Sequence, residues 1–295
     1  MWTGQMRVTK SQFNTFIKHI KKLSYNERRK VIYQNIQPSI PRFIYKYRSI
    51  DPENETSINR LRDIFVRSFF WLSSPRDFND PFEMSGSITL TGTAFDKRKR
   101  IAQLARIHKV PKNIMRHYVS EMMEMSNEKL LDKLHQVHEE TVNRAGVYSF
   151  AGDPRNILMW SHYAQNHTGI CLQFERSRDF ELLSQAIKVD YSTEYPEMDW
   201  INDYYDSVSR AILRKHEDWK YEKESRIIHP NEAHTTIRFN PSCLTRIIIG
   251  CRAPEKNIKI VKDLLKERKE ERKPPIKLYK AVQHKSKYTL TIHRY

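Results

Sequence analysis

Residues 147–174 read VYSFAGDPRNILMWSHYAQNHTGICLQF. The pattern predicts a strand, a turn, a short helix and a second strand. Residues 147–150 form the first strand, and residues 170–174 form the second. Between them Asp153 caps the helix, with Pro154 at its first position, and Gly169 closes it. Ser149, Ser161, His162 and Tyr163 sit among large apolar neighbours. Polar groups are costly to bury without partners, so chemistry is expected here. A second segment, WKYEKESRII at residues 219–228, sets Glu222 and Glu224 two positions apart on a predicted strand. Alternate strand residues share a face, so both carboxylates are expected to enter one cleft.

The rest of the chain extends this pattern. Residues 42–49 alternate large apolar and basic side chains, a strand signature. Residues 57–70 read as a helix with Ile58, Leu61, Ile64 and Phe65 on one face. A short strand at 70–73 leads into SSPRDFNDPFE (73–83), a loop by its Ser, Pro, Asn and Asp content. Residues 94–140 are helical and highly charged, as expected of an inserted lid. Further strands are expected at 189–191, 225–228, 236–239, 246–250, 276–282 and 288–292, with helices over 203–218 and 254–271. In front of all this, Phe13, Phe16, Ile17 and Ile20 recur at helical spacing, and Ser24 with Glu27 fits a capping box. The expected organisation is a basic helical N-terminal extension over 1–40 and one α+β domain over 41–295, with its helical insertion at about 94–140.

Composition narrows the function. The 295 residues carry a net charge of +17, concentrated at both ends, while residues 194–206 hold five acids and no base. Basic ends around a partly acidic middle point to a polyanionic partner, nucleic acid, or more plainly to a solvated surface. Seven glycines leave no G-x-G-x-x-G and no Walker loop, which excludes the common glycine-cradled nucleotide sites. Any phosphate must be gripped by side chains or helix ends. Cys171, Cys243 and Cys251 have no paired spacing and read as reduced thiols. The start of the sequence has no apolar signal core, and no run is long enough to span a bilayer. A cytoplasmic protein without a membrane partner is therefore expected.

YKYR (45–48), LSSPRDFNDPFE (72–83), SF (149–150), MWSHYAQNHTGICLQF (159–174) and WKYEKESR (219–226) occur in this order. The set resembles the bacterial domain of unknown function 2971 family over roughly residues 43–285. That resemblance implies no activity.

A second resemblance does. ADP-ribosyltransferases carry an Arg or His on an early strand, a Ser or Tyr on a central strand, and a Glu, often ending a Glu-x-Glu, on a later one. Arg48, then Ser149 or Tyr163, then Glu222 and Glu224 follow that order here. The usual Ser-Thr-Ser is absent; Ser149-Phe-Ala stands loosely in its place. The resemblance implies a split, mixed or antiparallel sheet and NAD as substrate. Glu224 would be catalytic, with a carboxylate stabilising the oxocarbenium character of the sugar. Arg48 would hold the pyrophosphate, and Tyr163 would orient nicotinamide. Asn79, Asp80, Ser149, His162 and Glu222 would complete the cofactor contacts.

Plainer readings stand beside these. On the plainer readings, Arg48 is only a strand arginine, and Glu222 and Glu224 pair at the surface with Lys220, Lys223 and Arg226, for little gain. His162 then reads as a structural histidine, Asn79 and Asp80 as an ordinary turn, and His135 with His138 as a solvated helix face rather than a metal pair. No metal site is expected. The leading expectation is an ADP-ribosyltransferase-like enzyme that modifies RNA or DNA, as a toxin or phage-defence effector restrained by an antitoxin or chaperone partner. The alternative is a nucleic-acid-binding protein or metal-dependent nuclease without NAD chemistry.

Overall fold

The computed structural model describes residues 41–202 and 211–295, together with Glu27. The extension expected over 1–40, with its paired helices, lies outside the described residues apart from Glu27, as do positions 203–210 of the helix expected over 203–218.

The chain is α+β, built on one five-stranded sheet and one three-stranded sheet. Strand β1 (Phe43–Arg48) and strand β5 (Ile170–Glu175) pair antiparallel, with Tyr45 opposite Gln173. β12 (Leu244–Ile249) lies on the other side of β5, followed by β13 (Lys277–Gln283) and β14 (Leu290–Arg294). β12 and β13 are parallel, and helix α7 (Glu255–Glu270) connects them in the chain. β5 is buried along its whole length, the reason its sequence is a near-continuous apolar run rather than an alternation.

The second sheet orders β4 (Gly146–Phe150), β10 (Ser225–His229) and β6 (Ile187–Lys188), with β10 in the middle. A single bridge between Tyr45 and Ala151 ties β4 to β1, so the two sheets meet at one point and diverge from it. Aromatic packing fills the angle between them. Phe70, on β2 (Phe69–Leu72), stacks on Tyr148 at 4.2 Å and Phe239 at 4.3 Å and meets Phe174 edge-on at 5.2 Å. A second cluster on the other face of β1 gathers Tyr45, Tyr47, Met159 and Trp160. β1 can serve both because its side chains alternate: Ile44 enters the first cluster, Tyr45 and Tyr47 the second.

Several local expectations are revised. The helix begun at Glu55 is regular only to Arg62 (α1), then widens to a π-turn over Asp63–Arg67 and stops where Ser68 takes φ of +64°. The helical insertion expected at about 94–140 is formed by three helices, α2 (Ala94–Ile107), α3 (Met115–Glu124) and α4 (Asn127–Asn143). These bury Ile101, Val119, Met122, Leu130 and Leu134 against Met198 and Trp200 in a core of their own. The short helix α5 (Ile157–Tyr163) is capped by Asn156, not Asp153: its side chain accepts from the N–H groups of Leu158 and Met159. Asn caps as well as Asp, and the Asp153 carboxylate is already used three residues earlier, accepting from Arg155 N–H at 2.9 Å.

Gly169 does not end that helix either. Gln165, Asn166 and His167 take the left-handed conformation, with φ of 48°, 52° and 67°. Gly169 is required for a different reason: a Cβ there would lie 2.2 Å from the Arg48 carbonyl oxygen. Of the helix expected over 203–218, the described end contains strand β9 (Arg214–His216), paired parallel with β7 (Asp190–Ser192), and a 3-10 stretch over Glu217–Glu222.

Candidate functional site

A cleft of about 450 Å³ opens where the two sheets diverge. Tyr45, Lys46 and Tyr47 from β1, Ser149 and Phe150 from β4, His162 and Tyr163 from α5, and Phe78 and Asn79 from the 73–83 loop line it. Lys215, Glu83, Glu222 and Glu224 form its charged wall.

Glu222 and Glu224 do not share a strand. Glu222 ends the 3-10 stretch, Lys223 turns through the left-handed region with φ of 47°, and β10 begins at Ser225. The turn at Lys223 brings both carboxylates inward, while the Lys223 side chain stays in solvent near Asp153. Neighbouring elements clamp the turn. Asn156 Nδ2 donates to the Tyr221 carbonyl at 2.9 Å, Gly152 N–H to the Glu222 carbonyl at 3.1 Å, and Glu224 N–H to the Tyr191 hydroxyl at 2.8 Å. A Cβ on Gly152 would lie 2.7 Å from that of Lys223, so the close approach needs glycine there.

The two acids are held differently. Arg226, fully buried, binds Glu224 with two nitrogens, Nε at 2.8 Å and Nη2 at 3.0 Å, and also contacts Glu83. Burial works to raise the Glu224 carboxyl, but Arg226, Lys215 and a hydrogen bond from Ser149 together hold it down to about 2. Glu224 is a fixed anion. Glu222 accepts from the Tyr163 hydroxyl at 2.6 Å and from Lys215 Nζ at 2.8 Å. Burial pushes its carboxyl up, Lys215 opposes this and Glu224 adds to it, with a net upward direction. Glu222 is thus, of the two acids, the one better suited to exchange a proton.

Lys215 joins the three carboxylates, at 2.8 Å from Glu83 and Glu222 and 3.5 Å from Glu224. Burial opposes its charge, but the carboxylates raise its ammonium above the ordinary lysine range. Its ammonium also lies over Trp219, with Nζ 4.6 Å from the ring centre. Three carboxylates against Lys215 and Arg226 leave one excess negative charge in this wall, suited to a cationic or cation-like group.

Asn79, Ser149, His162, Tyr163, Glu222 and Glu224 all reach the cleft. Asn79 hydrogen-bonds the Tyr163 phenol, which burial and Glu222 keep protonated. His162 is exposed at the mouth, with its ring 6.5 Å from Trp219 and 6.3 Å from Tyr221. Arg48 and Asp80 are not among the lining residues. Arg48 lies beside Tyr148, and Asp80 is buried, closing its own turn by accepting from Phe82 N–H at 2.9 Å. No residue of α2–α4 lines the cleft, so the insertion does not cover it as a lid would.

The ion pairs expected at the surface are buried, with Arg226 and Lys215 as the partners in place of Lys220 and Lys223. Arg226 was legible as the residue two positions after Glu224. Lys215 gave no signal, because its strand was concealed in an apparent helix. Lys46 was also missed. His138 is not on a solvated face but buried, with Nε2 3.2 Å from the Met84 carbonyl, while His135 is exposed. Among the described residues no group of three or more His, Cys, Asp and Glu is arranged to hold a metal ion. Glu83, Glu222 and Glu224 do converge, but around Lys215 and Arg226.

Fold and site together define an α+β protein with a cleft walled by ion-paired carboxylates on one side and aromatic rings on the other. The model of a family described as protein of unknown function (DUF2971) matches residues 159–227 of the chain. That segment holds α5, β5, Lys215, Glu222, Glu224 and Arg226; β1 and the 73–83 loop lie outside it. No curated protein and no solved structure matches the chain. Among the described residues no helix is long and apolar enough to cross a membrane.

Proposed function

We propose that this chain is an ADP-ribosyltransferase-like enzyme that cleaves the nicotinamide–ribose bond of NAD and transfers ADP-ribose to a nucleic acid. The observation that carries the reading is the pair Glu222 and Glu224, bridged by Lys215 Nζ in the wall of the cleft. Departure of nicotinamide leaves positive character on the ribose. The fixed anion of Glu224 stabilises that charge through space, as the carboxylates of glycosidases do. Glu222, whose carboxyl is pushed upward, accepts the proton of the attacking hydroxyl or amine. Tyr163, itself hydrogen-bonded by Asn79, holds Glu222 in place, and both residues face the cleft, where nicotinamide would stack or be oriented.

The net charge of +17 supports a polyanionic acceptor, RNA or DNA. A toxin or phage-defence role, restrained by an antitoxin or chaperone, fits such chemistry. The split of the sheet at the cleft supports an ADP-ribosyltransferase type of architecture. A nuclease would need its metal to displace Lys215 or Arg226 from the carboxylates, and no observation favours that. The test is nicotinamide release from NAD by the purified chain, followed by chromatography. Wild-type turnover that falls at least 100-fold in Glu224→Gln supports the reading; equal turnover in a folded variant refutes it.

A further inference from the structure

Two lysines line the cleft, and they are paired differently. Lys215 is saturated by Glu83, Glu222 and Glu224. Lys46 has no carboxylate within ion-pairing distance among the described residues. Its Nζ donates to the Ser149 carbonyl at 2.7 Å and lies 4.7 Å from the centre of the Tyr148 ring. An ammonium has three N–H donors. One is spent on the carbonyl and the ammonium lies beside the ring, which leaves donor capacity for a ligand.

The surroundings say what kind of ligand. Tyr45, Tyr47, Phe78, Phe150 and Met159 give the cleft an aromatic and apolar lining, and its volume of about 450 Å³ lies in the range that holds a nucleotide-sized molecule. Arg48, two positions further along β1, shares the face of Lys46 and adds positive potential without lining the cleft. The carboxylate wall repels an anion, and of the two lysines lining the cleft only Lys46 is left without a directly paired carboxylate among the described residues, so it is the favourable position for an anionic group. We infer that Lys46 is the group that receives a phosphate of a nucleotide ligand in this cleft. The inference deepens the ADP-ribosyltransferase reading, in which the phosphate is part of the NAD pyrophosphate. It puts Lys46 in the place of Arg48, to which the resemblance to ADP-ribosyltransferases assigns that task.

Burial, then Arg48, pushes the Lys46 ammonium down to about 7. An arriving phosphate opposes this penalty, because it supplies a directly paired counter-ion.

The test compares ADP with adenosine, which differ by the phosphates alone, by calorimetry on the full chain. Wild type is expected to bind ADP at least 10-fold more tightly than adenosine, in the range of a charged hydrogen bond. Lys46→Met is expected to erase that preference, and Lys46→Arg to keep most of it. A preference that survives in Lys46→Met overturns the inference, and so does a wild type that binds both equally or binds neither. If Lys46→Met does not fold, protection of the wild-type amine decides: ADP, but not adenosine, must slow acetylation of Lys46, and an unprotected Lys46 overturns the inference. Turnover is not part of this readout. A Lys46-dependent ADP preference in a chain that releases no nicotinamide leaves the inference standing while the transferase reading falls. NAD turnover with a Lys46-independent preference does the reverse.

Discussion

Arg226 grips Glu224 through two nitrogens, at 2.8 and 3.0 Å, with both side chains buried. The bidentate fork fixes the carboxylate in place and keeps it ionised. It thereby separates the roles of two acids that are only two positions apart: Glu224 supplies charge, and Glu222 can move a proton.

Removing the fork leaves buried carboxylates without their partner. Arg226→Met should cost about 3–5 kcal/mol of stability, the usual consequence of breaking a buried ion pair. Urea unfolding measures it. A loss below about 1 kcal/mol would mean that the network is not held as described.

Acid should expose the same pair. The Glu224 carboxyl sits at about 2 in the folded chain against an ordinary value of 4.5. A depressed carboxyl stabilises the fold above its unfolded value, and the contribution is lost as pH falls through the folded one. The stability gap between wild type and Glu224→Gln should therefore be constant above about pH 5 and close progressively between 4.5 and 2. Unfolding curves across that window that keep a constant gap would refute the assignment.

Lys46 predicts a trend at the other end of the scale. Its ammonium is lowered from 10.5 to about 7, with Arg48 and Lys215 opposing its charge and Glu222 and Glu224 favouring it. Between these values the unfolded chain binds the extra proton, so stability rises with pH. Wild type should gain on Lys46→Met as pH goes from about 7 to 10.5, with no further gain above. A flat difference over that range would place Lys46 in water rather than in the cleft wall.

Glu222 should show itself in the pH profile of NAD turnover. Glu222→Gln is expected to lower kcat by about 10²–10⁴-fold, the usual share of a general base, with a smaller change in KM. It should also remove the acid limb of kcat/KM, because that limb reports ionisation of Glu222. An unchanged acid limb in the variant would assign the base elsewhere.

Much of the fold was legible because its strands carry strong local patterns. RFIYKYRS alternates, ICLQF is a buried run, and both became neighbouring strands at the expected places. The carboxylate pair was legible by spacing, yet not by conformation. The left-handed turn at Lys223 has no glycine to announce it, and it was read as continuous strand. Asn156 does not stand out as a cap because Asp153-Pro154 offers a stronger local signal, which the fold spends on a separate turn. Lys215 was concealed because a three-residue strand in a charged segment has no periodicity to detect, and its value comes from Glu83, more than a hundred residues away. Lys46 looked like one basic residue among many; its isolation from carboxylates exists only in three dimensions.

The first measurement is transfer of label from adenylate-labelled NAD to total RNA, DNA and lysate protein, by wild type and by Glu224→Ala shown to be folded. Label on a nucleic-acid band with wild type, together with free nicotinamide, and neither with the variant, is the expected result. Equal labelling by the two proteins, or no label and no nicotinamide with any acceptor, would contradict the proposed transferase.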